Sequence, residues 1–308
     1  MHDAPLMLCA GEALTDMIHQ GNEQWVSRDG GSVWNVARAL ATLGERTAFA
    51  GAVSRDRFGA SLWAASEAVG LDMRLLQRVE RSPLLAIVEQ GEPPRYFFIG
   101  DDSADLHFDP SALPEGWSRS LRWAHFGGIS LAREPLASRL VELAEKLKAQ
   151  GVAISYDPNF RNVMGPAYAP ILQRMASLAD VIKVSDDDLR GLFPNLALEA
   201  ALQQLRAASP NAYCLFTRGG QGASLLRGAQ QADARAPAVD VVDTVGAGDA
   251  SVAGLLHSLA RHPQRALQAH LHAALAAGSA ACLQAGATPP HPAAMHQLFE
   301  LLQGDVLP

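Results

Sequence analysis

The chain has 308 residues, is 48% hydrophobic with mean hydropathy near zero, and carries 25 basic against 32 acidic residues for a formal charge of -7. Such a composition can bury a sizeable core, as one large α/β domain or one domain with a small appendage, and it excludes a disordered chain. No run of Lys and Arg offers a track for nucleic acid or an anionic membrane, so small molecules are the expected partners.

The N-terminal "MHDAPLMLCAGEALTD" lacks a basic start leading into a long apolar run. No stretch of about 18 uninterrupted apolar residues occurs, so neither secretion nor a membrane span is expected. The run "LMLCA" (6–10) reads as the first strand, and "ALTDMIHQ" (13–20) as a further β segment. Val33, Val36, Ala37 and Leu40 follow the i, i+3, i+4, i+7 spacing of one buried helical face, which predicts a helix over 33–43. "TAFAGAV" (47–53) is the next strand. Residues 84–99 read as two strands joined by a Gly/Pro turn, with which 13–20 could pair as a small β appendage. Strands follow at 122–128, 152–157, 180–184 and 212–217, and 263–287 is rich in alanine. Strands separated by helices imply βαβ units and a mainly parallel sheet covered on both faces. Cys9, Cys214 and Cys282 are few, odd in number and far apart, which indicates neither a disulfide framework nor a Cys-based zinc site and fits a reducing cytoplasm. The ten histidines are scattered and read as structural or surface residues.

The stretch "DTVGAGDASVAGLL" (243–256) changes character midway. Val252, Leu255, Leu256 and Leu259 mark one helical face, so a helix is expected to begin near Asp249. Its first turn has amide groups without intrahelical partners and a partial positive charge. Gly246 and Gly248 would let several N–H groups converge on an anion such as a phosphate. Asp249 alone could equally be a helix cap. No G-x-x-x-x-G-K-[ST], complete dinucleotide fingerprint, G-x-S-x-G or H-E-x-x-H is present, which argues against the corresponding nucleotide-binding, hydrolase and zinc-protease readings.

With "GEALTD" (11–16), "GGSVWNVARALATLG" (30–44), "SADL" (103–106), "YDPNFR" (156–161), "KVSDDDL" (183–189), "TRGGQGA" (217–223) and "DTVGAGDASVAG" (243–254) in this order, the chain resembles the ribokinase-like (PfkB) sugar kinases, within them the bacterial fructokinases most. The resemblance covers essentially the whole chain, and the last motif is the most specific. It implies a three-layer α/β/α fold with a mainly parallel central sheet. Residues 1–308 would form a single kinase domain, with a β lid from about 13–20 and 84–99. It also implies ATP and Mg²⁺ as cofactors, and a homodimer pairing through the lid as in many relatives.

By the resemblance Asp249 is the catalytic base that accepts the proton of an attacking sugar hydroxyl. The N–H groups of Gly246, Ala247 and Gly248 form the anion hole where charge develops. Asp16, Gly31 and Asn35 recognise the sugar, and Arg161 reaches the substrate or phosphate region unless it only makes a surface salt bridge. Lys183, Ser185, Thr217, Gly219 and Gly222 fall on the nucleotide side, with Leu275 and Gly278 in the stretch that would line the adenine. Packing between helices is the competing reading for that stretch. Asp188 keeps the carboxylate that helps hold Mg²⁺ through water, although Ser185 and Asp188 replace the Asn and Glu of many relatives. Asp243, Val245 and Gly286 fall where some members bind a monovalent cation, K⁺ here, through carbonyl oxygens.

Ser32, Val33 and Trp34 depart from the small residues and proline usual in fructokinases. Trp34 could enter the core or narrow the sugar pocket. Tyr96 and Phe98, two apart on one strand face, could cover the substrate or form a dimer seam. The activity implied is ATP-dependent phosphorylation of a small sugar, with D-fructose at the 6-position first. A 2-keto-3-deoxygluconate kinase, whose acid substrate would pair with Arg161, is the alternative within the class. A nucleoside kinase and a non-catalytic sugar or nucleotide sensor are the others.

Overall fold

The computed structural model describes residues 6–89 and 95–304, so the Gly/Pro turn expected between the strands of 84–99 lies outside the described residues. In chain order the N-terminal half contains β1 (Met7–Ala10), β2 (Leu14–His19), β3 (Trp25–Gly30), α1 (Ser32–Thr42), β4 (Thr47–Ser54), α2 (Arg57–Ala68), β5 (Leu76–Val79), β6 (Leu85–Glu89) and β7 (Arg95–Ile99). Then come β8 (Trp123–Gly127), α3 (Leu136–Ala149), β9 (Ala153–Asp157), α4 (Ala169–Leu178), β10 (Val181–Ser185), α5 (Asp186–Leu192) and α6 (Leu198–Ala207). The chain closes with β11 (Tyr213–Thr217), β12 (Ala223–Arg227), β13 (Gln230–Ala234), α7 (Ala247–Arg261), α8 (Leu267–Ala281) and α9 (Pro292–Gly304).

The larger sheet has nine strands in the order β13-β12-β11-β10-β9-β8-β1-β4-β5. Every pairing from β5 to β11 is parallel, and only the β11–β12 and β12–β13 pairings are antiparallel. Side-chain alternation along each strand divides the core into two layers. On β1, Leu8 and Ala10 enter one layer, with residues of α3, α4, α5 and α6, while Met7 and Cys9 enter the other, beneath α1, α2, α7, α8 and α9. Both faces are thus covered, as the uninterrupted apolar run of β4 requires: all eight of its residues are buried.

A second, four-stranded sheet has the order β3-β2-β6-β7, and β2 pairs parallel to β6 as well as antiparallel to β3. The sequence expectation omits β3. Its "WVSRDG" is mostly exposed and shows no apolar face, so no periodic signal marks it. Loops leaving the C-terminal ends of β1, β8, β9, β10 and β11 gather along one edge of the larger sheet, where open α/β sheets bind ligands.

Candidate active site

Gly246, in the left-handed region with φ 81°, turns the chain into α7, so the helix begins at Ala247 rather than near Asp249. Asp249 therefore sits inside the first turn, and its carboxylate does not cap the helix. Ser32 Oγ donates to its Oδ1 at 2.7 Å, and Asn35 Nδ2 donates to its Oδ2 at 2.9 Å. Both donors stand in the first turn of α1, which packs on α7. Gly31 makes that approach feasible: its φ of 110° suits glycine, and a Cβ there would meet the Glu12 carbonyl at 2.8 Å. Burial pushes the Asp249 carboxyl up from the ordinary aspartate range, while Ser32, Asn35, Lys183 and Arg161 pull it back. Only 9% of the residue is exposed. The Ala247 N–H already donates to Thr244 O at 3.2 Å, which removes one of the three amides expected in the anion hole. The amides of Gly248 and Asp249 follow it in the first turn, where no intrahelical acceptor exists.

The second sheet forms the other wall. Asp16 projects from β2, and β7 turns Tyr96 and Phe98 toward the cleft while Phe97 and Ile99 face outward, 50% and 52% exposed. Arg161 folds back on its own loop: Nη1 donates to the carbonyls of Asn159 and Phe160 and to Asn159 Oδ1, and the guanidinium lies 5.5 Å from the centre of the Tyr96 ring. Asp16, Gly31, Asn35, Tyr96, Phe98, Arg161, Val245, Gly246 and Asp249 all line one cleft of about 550 Å³. Burial pushes Asp16 up to about 6, with Arg161 opposing and Asp249 reinforcing the shift. Trp34 does not line this cleft. It is fully buried in the layer beneath α1, and its Nε1 donates to Ser66 Oγ at 2.9 Å, so the core reading holds.

Behind the first turn of α7 lies a buried charge cluster. Lys183 on β10 reaches Asp157 Oδ2 at 3.1 Å and Asp188 Oδ2 at 3.4 Å, and its Nζ would be 3.3 Å from a Cβ at Gly248. Burial alone would push the ammonium down, but Asp157, Asp188 and Asp249 outweigh it and hold the lysine charged. Asp188 closes a capping box on α5: its amide donates to Ser185 Oγ at 3.0 Å, and its Oδ2 accepts from Ser185 N at 2.8 Å. Its Oδ1 accepts from Phe160 N at 2.7 Å.

Thr217, Gly219 and Gly222 lie at the end of β11 and in the turn to β12. Leu275 and Gly278 are on α8, where a Cβ at Gly278 would meet Ser251 Oγ at 2.2 Å. Close packing of α7 on α8 thus accounts for Gly278. Asp243 ties two loops together, its Oδ1 accepting from Val245 N at 3.1 Å and its Oδ2 from Gly286 N at 2.8 Å. None of these residues except Val245 lines the cleft.

Ser32, Asp157 and Glu12 are the site residues that sequence reasoning passes over. All three stand inside the motifs quoted above, so position in a motif is the signal that could have found them.

A family model described as pfkB family carbohydrate kinase matches residues 6–294. The chain is 32% identical to a fructokinase of Vibrio alginolyticus over 259 residues, covering 82% of this chain and 83% of that one. Among solved structures, a fructokinase from Xylella fastidiosa with bound ATP superimposes with a TM-score of 0.87 at 26% identity, covering 96% of this chain and 98% of the other. A fructokinase from Vibrio cholerae in its fructose, ADP and calcium bound form gives 0.82 at 29% identity, covering 95% and 98%.

Proposed function

Because this chain belongs to the pfkB family of carbohydrate kinases, we propose that it transfers the γ-phosphate of ATP to D-fructose at the 6-hydroxyl, with Asp249 as general base. The observation that carries this reading is the setting of Asp249: a buried carboxylate fixed by Ser32 and Asn35, at the wall of a polar cleft and in the first turn of α7. A base so placed accepts the hydroxyl proton as the oxygen attacks, while the free amides of the turn stabilise charge on the transferring group. ATP with Mg²⁺, when bound, supplies the phosphoryl group and neutralises its charge.

The cleft has the donors and acceptors that a polyol needs. Asp16 accepts, and Asn35 Oδ1 is a buried acceptor with no hydrogen-bond partner among the described residues. Arg161, the residue that a sugar acid would require, is turned onto its own loop carbonyls and Tyr96, which favours a neutral ketose over 2-keto-3-deoxygluconate. Tyr96 and Phe98 would cover the sugar and exclude water, making the second sheet a lid on a single kinase domain.

Lys183, Ser185, Thr217, Gly219 and Gly222 would form the nucleotide side, with Leu275 and Gly278 packed behind it. Both oxygens of Asp188 are engaged by backbone amides, so its contribution to Mg²⁺ would pass through water. The bridge that Asp243 makes between Val245 and Gly286 brings those two loops side by side, which suits a monovalent cation held by carbonyl oxygens. Exposed Phe97 and Ile99, with Trp25 44% exposed on β3, support pairing of two chains through the lid. Free thiols at Cys9, Cys214 and Cys282 fit the cytoplasm, and no helix among the described residues is long and apolar enough to cross a membrane.

The test is an ADP-release assay with ATP and Mg²⁺ across D-fructose, tagatose, ribose, 2-keto-3-deoxygluconate and several nucleosides. Selective turnover of fructose, with fructose 6-phosphate as product, is the expected result. Turnover confined to another substrate moves the specificity, and silence on all of them favours a sensor.

A further inference from the structure

Glu12 follows β1 and is 2% exposed although it is one of the residues that line the cleft. β1 and β8 are parallel neighbours, so the chain segments leaving their C-terminal ends run side by side. Across this gap Glu12 Oε2 lies within short hydrogen-bond contact of Ser130 Oγ and accepts from Ser130 N at 3.3 Å. The Glu12 amide donates to Ser130 Oγ at 3.3 Å, and that same hydroxyl lies 3.0 Å from Gly127 O.

A count of the hydroxyl protons favours one state of this cluster. The serine has one hydroxyl proton, and two acceptors, Glu12 Oε2 and Gly127 O, both lie in its reach. An ionised Glu12 would leave one of them without a proton. A protonated Glu12 donates to Ser130 Oγ, which frees the serine proton for Gly127 O and fills every contact. The surrounding charges agree. Asp105 faces Glu12 with the same sign, and the cation nearest to that acid, Arg133, is held by Asp105, Gly100 O and Ser103 Oγ. Elsewhere in the cleft stand Asp16 and Asp249, with Arg161 turned onto its own loop. Among the described residues no ion pair reaches Glu12.

We propose that Glu12 is a positioning residue that works as a neutral carboxylic acid, clamping the loop 127–130 to the end of β1 so that Ile129 keeps its place in the wall of the sugar cleft. Gly128 is shaped to this clamp: its φ is +63°, and a Cβ there would meet Glu12 Oε1 at 2.3 Å. Its amide donates to Asp157 O at 3.1 Å, which carries the clamp onward to β9, whose Asp157 belongs to the Lys183 cluster. Burial, the largest influence, pushes Glu12 up to about 7, whereas Ser130, where it donates to the charged form, pulls the other way.

The proposal rests on the sugar-kinase reading only for its first assay. Wild type and Glu12→Gln, as full chains, are compared for sugar KM between about pH 6 and about pH 9. The wild-type KM should rise roughly tenfold per pH unit above about pH 7 with a smaller change in kcat, whereas the glutamine variant, which cannot ionise, should stay nearly flat. Equal profiles in the two proteins would overturn the proposal. A readout independent of any substrate is the ¹³C titration of glutamate-labelled wild type, in which one carboxyl should titrate near 7 instead of about 4.3. If every glutamate titrates in the ordinary range, Glu12 is ionised and the clamp is wrong. Because this measurement needs neither turnover nor a folded variant, loss of the kinase reading and loss of the proposal remain distinguishable.

Discussion

Asn35 and Asp249 meet through a 2.9 Å hydrogen bond although 214 residues separate them in sequence. The amide nitrogen donates and the carboxylate accepts, which fixes Asp249 on the face of α7 that looks into the cleft. Removing the carboxylate should therefore remove turnover without emptying the cleft. Asp249→Asn is expected to lower kcat by about 10²–10⁴, the usual worth of a general base, while sugar affinity by calorimetry changes little. Wild-type turnover in this variant would strip Asp249 of its role.

Ser32 holds the other oxygen of the same carboxylate at 2.7 Å. A hydrogen bond to the charged form keeps a carboxyl pKa low, so Ser32→Ala should move Asp249 further up, since burial already pushes it in that direction. The acid limb of the kcat profile should then shift to higher pH, with kcat at acidic pH down by on the order of tenfold, about the worth of one hydrogen bond to a charged group. An unmoved acid limb would mean that the base titrates independently of Ser32.

Lys183 balances Asp157 and Asp188 in a place that water hardly reaches. Lys183→Met keeps the bulk and removes the charge, leaving buried carboxylates without their cation. Breaking such a group typically costs about 3–5 kcal/mol, to be read as a lower urea midpoint. The sign of its pH dependence follows from the upward shift of the lysine: its contribution is full below the ordinary lysine range and is lost only as the pH rises through the elevated folded value. The stability gap between wild type and variant should therefore narrow in strong alkali, and also toward acidic pH, where Asp157, which burial pushes up to about 7 even beside Lys183, takes up a proton and no longer needs the cation.

Trp34 separates packing from recognition. With its indole in the core and its N–H on Ser66, Trp34→Ala should cost about 3–5 kcal/mol in chemical denaturation. The milder Trp34→Phe, which keeps most of the volume, should leave the KM for sugar within about twofold of wild type. A strong change in substrate preference in that variant would return the residue to the pocket.

Apart from β5, a short edge strand with only Leu76 buried, the parallel strands were legible because residues buried on both faces leave apolar runs, as in β4, with turn boundaries at either end. The strand β3 was not, since an edge of the smaller sheet needs no apolar face. In the site, Asp249 stands out through the glycines before it, and motif position could have pointed to Ser32 and Glu12 as site residues, but not to their partners: nothing local to residue 32 signals a contact on the last third of the chain, and Ser130 lies 118 residues from Glu12. Gly278 illustrates the converse, where a residue in a motif-like stretch is accounted for by two helices packing closely.

The span between Asn35 and Asp249 also bears on synthesis. The residues of β2 and α1 that line the cleft leave the ribosome early, whereas Gly246 and Asp249 emerge only after β13. An incompletely translated chain therefore lacks α7 and, with it, one wall of the cleft. Non-local pairings of this kind slow folding, and the cleft has all of its walls only once α7 is available to pack on α1.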